Sequence, residues 1–151
     1  MKYYESSKLA KIAHKLIYSG KKTLEAKGAK IKFLLLESKK SNCLGKCIKA
    51  SALVHHLTGY DFIVYLWDTF WKDATKKQRQ ALLLHELLHI KKSVDRNEKL
   101  KWALKKHDLE EFSAVVKKYG LWLEEHRNFA RSMSGKGEKG LKKKSKKLRD
   151  I

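Results

Sequence analysis

The stretch Ala81-Leu82-Leu83-Leu84-His85-Glu86-Leu87-Leu88-His89-Ile90 decides how this chain is read. Within it, three polar residues in the pattern HExxH interrupt an otherwise apolar run. On a helix, positions four apart share a face, so the imidazoles of His85 and His89 can reach one ion while Glu86 addresses water beside it. Hydrocarbon on nearly every face implies a buried helix, where two imidazoles and a carboxylate left without partners cost several kcal/mol. A bound metal relieves that cost, and the spacing is that of a zinc peptidase site.

The helix has a readable start. Thr75 followed by Gln78 forms a capping-box pattern, and residues 76 to 80 give a polar first turn. After Ile90, the polar run Lys91-Lys92-Ser93 and then Val94 to Glu98 predict that the helix ends soon after His89. Upstream, Leu9, Ile12, Ala13, Leu16 and Ile17 fall at helical spacing, so residues 7 to about 19 form an amphipathic helix capped by Ser6 or Ser7. Between Lys30 and Trp67 the pattern changes to strands. Ile31 to Leu36 alternates, Ser38 to Asn42 turns, a second strand runs from Leu44 to Ala52, and Asp61 to Trp67 is a third. Downstream, Asp108 and Glu111 are a cap-like pair that starts a helix directly after His107. Gly120 breaks it, and Leu121 to Met133 continues as a second helical segment.

A chain of 151 residues suits one domain, taken here as residues 1–134, with 135–151 as a flexible lysine-rich tail opened by Gly135, Gly137 and Gly140. No apolar run approaches the length of a membrane span and Met1 to Glu5 lacks the order of a signal peptide, so a cytoplasmic location is expected. Cys43 and Cys47 would lie about 13 Å apart on an extended segment, too far for a disulfide, and fit a reducing compartment as thiols.

The net charge of +20 implies a polyanionic partner, with nucleic acid, above all DNA, the obvious candidate. The last 20 residues carry Lys136, Lys139, Lys142, Lys143, Lys144, Lys146, Lys147 and Arg149 against Glu138 and Asp150, or 8 − 2 = +6, which leaves +14 on the body. A basic body suggests a phosphate-facing surface, where a basic tail alone would not.

HExxH requires a third protein ligand. Asp95 falls six residues after His89, but Lys92 stands where that spacing class needs a glycine for its turn. His107 precedes a helix start, a fixed position, and offers imidazole, so it is preferred. Glu110 or Glu111 would reproduce a two-histidine, one-glutamate set from a second helix, but both are also explained as first-turn acids, and Glu110 as a partner to a ligating histidine. His55 and His56 read as surface residues beside a turn, and His14 and His126 as helix surface.

The stretch Ala81 to Ile90, followed by His107-Asp108-Leu109-Glu110-Glu111-Phe112 and Lys118-Tyr119-Gly120-Leu121-Trp122, resembles the putative phage metallopeptidase domain, with Thr58 to Phe62 as its preceding strand signature. The similarity covers about residues 5 to 125. More distantly the chain is similar to SprT-like proteases, in which a separate His-Gly segment follows HExxH; here Asp108 stands at the glycine position. These resemblances imply a compact α+β zincin-like fold, with an N-terminal helix, a three-stranded sheet, the HExxH helix and one or more C-terminal helices. They carry Zn2+ ligands onto His85, His89 and His107 and the general base onto Glu86. They also imply host cytoplasm if the gene belongs to a phage, and cleavage close to DNA.

The expected chemistry is hydrolysis of peptide bonds, with Glu86 taking a proton from the attacking water and passing it to the leaving amine. Tyr60 and Tyr119 read as packing residues. A peptide would add as a strand to a sheet edge, expected at residues 61 to 67. The rival reading is a non-catalytic nucleic-acid binder with a structural or lost metal site and a working surface of Trp67, Trp71, Trp102 and lysines.

Overall fold

The Ser6 side chain accepts a hydrogen bond from the Leu9 N–H at 3.3 Å, and behind this cap helix α1 runs Ser7–Tyr18 with Leu9, Ala13 and Ile17 buried. The computed structural model describes residues 1–20, 24–37, 43–107, 113–124 and 127. Among these, α1 follows a short strand β1 (Lys2–Tyr4) and precedes β2 (Ile31–Glu37), β3 (Gly45–Lys49), helix α2 (Ala52–Thr58) and β4 (Phe62–Trp67). Then come α3 (Asp68–Asp73), α4 (Lys76–Leu87), β5 (Ile90–Val94), β6 (Leu100–Leu104) and α5 (Ser113–Tyr119). The fold is α+β.

One sheet has the order β1-β2-β4-β3, with β2 and β4 parallel and both outer pairs antiparallel. The three strands read from the sequence are therefore joined by β1, too short to show a period. The second strand stops at Lys49 rather than Ala52. Ser51 then caps α2 by accepting from the Val54 N–H, and Gly59, at φ 76°, closes it. This helix was hidden because it buries no residue and so carries no amphipathic signature. His55 and His56 are exposed on it.

The parallel pairing of β2 with β4 corrects the expected substrate edge: residues 62–67 lie between two strands, and β3 forms the sheet's edge. A βαβ-like return through β3 and α2 brings β4 back beside β2, which strand periodicity alone does not reveal. One face of β2 and β4, with Leu35, Phe62, Val64 and Leu66 all buried, packs with Leu9, Ala13 and Ile17 of α1 and with Ala81, Leu82, Leu83, Leu84 and Leu87 of α4. Each such aliphatic side chain contributes about 1.5–3 kcal/mol by leaving water, enough to hold the polar HExxH residues of α4 where they stand.

Residues 90–104 form a second, two-stranded sheet in place of the plain polar ending expected after His89. Ile90 pairs with Leu104, Lys92 with Trp102 and Val94 with Leu100. Apolar residues alternate along β6, as Leu100, Trp102 and Leu104, but in β5 Lys92 stands between Ile90 and Val94 where the period calls for an apolar residue, which hides the strand. Asp95 shapes the connection: its backbone N–H donates to the Lys99 carbonyl, and its Oδ1 accepts from the N–H groups of Asn97 and Lys99. Glu98 takes a left-handed φ of 60°, as the last residue of a three-residue hairpin loop requires. Gly120, at φ 66°, ends α5 as read. The expected cap of Asp108 and Glu111, the helical segment to Met133, His126 and the tail lie outside the described residues, apart from 121–124 and 127.

Glycine reaches positive φ without the steric cost an L side chain incurs there. Glu98→Gly is therefore expected to stabilise the fold by up to about 1 kcal/mol, read as an upward shift of the urea midpoint; an unchanged or lower midpoint contradicts this view of the loop.

Candidate metal centre

The capping box is complete: Thr75 Oγ1 accepts from the Gln78 N–H and Gln78 Oε1 accepts from the Thr75 N–H. With that end fixed, α4 runs to Leu87, and His85 occupies its last turn. His89 follows the helix, its N–H donating to the Glu86 carbonyl at 3.2 Å. The rings of His85 and His89 lie 5.3 Å apart, centroid to centroid, and both are half-buried.

The third histidine arrives through the hairpin. β5 begins directly after His89, and the chain returns along β6 to Lys105, which faces His89 one step beyond the last ladder pair. Two hydrogen bonds join these residues: the Lys105 N–H donates to the His89 carbonyl at 2.6 Å, and His89 Nδ1 donates to the Lys105 carbonyl at 2.7 Å. A carbonyl only accepts, so Nδ1 carries the proton and Nε2 keeps its lone pair. This is the ring polarity that a ligating histidine needs. Two residues on, exposed His107 sets its ring 4.5 Å from that of His89 and 4.6 Å from that of His85.

His107 Nε2 stands 2.8 Å from His85 Nε2. One ring nitrogen from each of the three histidines lies within 4.8 Å of the others. Nitrogens around a tetrahedral ion at about 2.0–2.1 Å sit roughly 3.3 Å apart. The three donors are thus close enough to share one ion after small side-chain adjustments, and neutral imidazoles suit Zn2+.

Glu86 is buried, with 3% of its surface exposed. Its carboxylate lies against β3 at Gly45, where an added Cβ would come within 3.0 Å of Glu86 Oε1 and 2.6 Å of Leu66 Cδ2. A side chain at position 45 would push the Leu66 and Glu86 side chains aside. Two residues along, burial first and then the Glu86 charge push the Cys47 thiol up to about 12, which keeps it protonated. Burial chiefly, with the Glu86 charge among lesser causes, raises Tyr65 as well. Glu86 is thus buried at the wall of a cleft that Gly45, Lys46, Tyr65, Trp67 and the three histidines also line.

Of the residues singled out in the sequence, His85, Glu86, His89 and His107 come together in this cleft. Asp95 does not: it turns the hairpin and is absent from the clustered donor group. Glu110 and Glu111 lie outside the described residues. Tyr119 is buried and Tyr60 half-buried, as packing residues should be. His14 is exposed. Cys43 is an exposed thiol and Cys47 a buried one. Gly45 was missed, because the need for a glycine comes from what stands opposite it and leaves no trace in its neighbours along the chain.

Residues 1–134 match the model of a family described as "Putative phage metallopeptidase". No curated protein and no solved structure gives a match.

Replacing Gly45 by alanine forces Leu66 and Glu86 to move, and such overpacking costs about 1–3 kcal/mol. Gly45→Ala should lower the urea midpoint accordingly; a midpoint equal to that of the wild type contradicts the close seat of Glu86 on β3.

Proposed function

The chain belongs to the putative phage metallopeptidase family, and on that premise we propose that it is a zinc-dependent peptidase whose metal is held by His85, His89 and His107, with Glu86 as general base. The observation that carries the proposal is the convergence of three imidazoles, from a helix end and a hairpin, beside a buried carboxylate. Zinc, when bound, would supply Lewis acidity that polarises the scissile carbonyl and brings the pKa of water towards neutrality.

The protein's own residues do the rest. His89 presents Nε2 because Lys105 holds Nδ1–H. From its buried seat at the cleft wall the Glu86 carboxylate takes a proton from the attacking water and delivers it to the amine nitrogen as the peptide bond breaks. The substrate lies extended along the edge strand β3, which contributes Gly45, Lys46 and Cys47 to the cleft and has no strand hydrogen-bonded beyond it in the described sheet.

Among the described residues no helix is long and apolar enough to cross a membrane. The net charge of +20 supports a polyanionic partner beside the peptide substrate.

Glu86→Gln keeps the shape of the side chain and removes its basicity. Hydrolysis of an unfolded protein substrate should fall by about 10²–10⁴-fold, with metal content and fold unchanged by elemental analysis and circular dichroism. Undiminished hydrolysis would contradict Glu86 as the base. A wild-type protein that binds metal yet cleaves no protein or peptide presented to it would favour the non-catalytic binder.

A further inference from the structure

The β5–β6 hairpin is built to project. Its root is anchored by buried Ile90, by Trp102 set edge-on to Phe62 at 6.0 Å, and by the paired hydrogen bonds between His89 and Lys105. Beyond that root, every residue from Val94 to Lys101 is exposed. Between residues 90 and 106 the ribbon carries Lys91, Lys92, Arg96, Lys99, Lys101, Lys105 and Lys106 against Asp95 and Glu98, or 7 − 2 = +5. One of those acids, Asp95, is engaged in shaping the turn.

The register puts cations on both faces. Lys92 shares a face with Val94, Leu100 and Trp102, while Lys101 lies on the opposite face, as does Lys91. Near the tip, Val94 and Leu100 stand directly opposite each other, 63% and 62% exposed. Five residues per strand make a ribbon about 17 Å long and two strands about 4.8 Å apart. The major groove of duplex DNA, about 12 Å wide, admits a two-stranded ribbon of this kind with side chains reaching phosphates on either wall. An apolar pair at the end of a basic arm also suits contact with the thymine methyl groups exposed in that groove. An anionic membrane calls for cations and apolar groups segregated to opposite faces, which Lys92 beside Val94 and Leu100 does not provide.

We propose that the β5–β6 hairpin is a docking arm for duplex DNA, with Arg96, Lys99 and Lys101 contacting phosphates and Val94 and Leu100 pressing on the bases. The proposal rests on the polyanion part of the function proposed above and not on its catalytic part. His89 and His107 flank the root of the arm, so DNA held at its tip lies one ribbon length, about 17 Å, from the three clustered histidines.

The test is fluorescence anisotropy with a labelled duplex of about 20 base pairs, using the full chain over a series of salt concentrations. Arg96→Ala/Lys99→Ala/Lys101→Ala is compared with Lys8→Ala/Lys11→Ala/Lys15→Ala, which removes the same charge from exposed positions of α1. The arm variant should weaken binding at least about tenfold and reduce the salt slope by about 2–3, near 0.9 for each phosphate no longer neutralised; the α1 variant should lose much less of both. Val94→Ser/Leu100→Ser should weaken binding with the slope intact. Equal losses in the two triple variants would show net charge acting without a docking arm and overturn the proposal. So would intact duplex binding by the arm variant together with lost binding to phosphatidylserine vesicles or to an acidic protein. Unchanged metal content and circular dichroism establish that each variant is folded, and none of these readouts depends on peptidase activity.

Discussion

The candidate metal centre depends on two hydrogen bonds between one pair of residues. Lys105 donates its backbone N–H to the carbonyl of His89 and accepts the Nδ1 proton of the same histidine. The first bond ties the returning strand to the residue just beyond the end of α4. The second fixes the tautomer and orientation of the ring. His107 follows two residues later, so its arrival beside His85 and His89 is a consequence of where Lys105 is held. A backbone carbonyl is a stable anchor for this purpose, since no side-chain substitution at position 105 removes it.

The second constraint is the seat of Glu86. An ionised carboxylate in an apolar site is costly unless something compensates its charge or supplies it a proton. Glu86 lies against Gly45 of β3, beside a thiol that burial and the Glu86 charge keep protonated, at the wall of the cleft that the three histidines line. The aliphatic residues of α4, packed on β2, β4 and α1, hold the carboxylate in that position. Stability and chemistry are therefore linked through one helix: its apolar faces secure the core and its polar residues face the cleft.

What was legible in the sequence was local. The Ser6 cap, the Thr75–Gln78 capping box, the apolar spacing of α1, the strands around residues 31–37 and 62–67 and the HExxH run each announce themselves within a few residues. What was not legible depends on pairing across the chain. The place of β4 between β2 and β3 follows from a parallel register that strand composition does not encode. The hairpin after His89 was masked by Lys92, which breaks the apolar period of β5, although the hairpin is what delivers the His107 that ligand chemistry had favoured. Gly45 looks ordinary until Glu86 is seen opposite it, and α2, with no buried face, has no period to read.

The most direct test is metal stoichiometry by elemental analysis of tag-free protein, wild type beside His107→Ala and Asp95→Ala. Ligation by three histidines predicts one zinc per wild-type chain, retained in Asp95→Ala and lost or greatly weakened in His107→Ala. Wild-type protein that takes up no zinc after reconstitution, or a His107→Ala chain that holds it as tightly as wild type, would contradict the three-histidine centre.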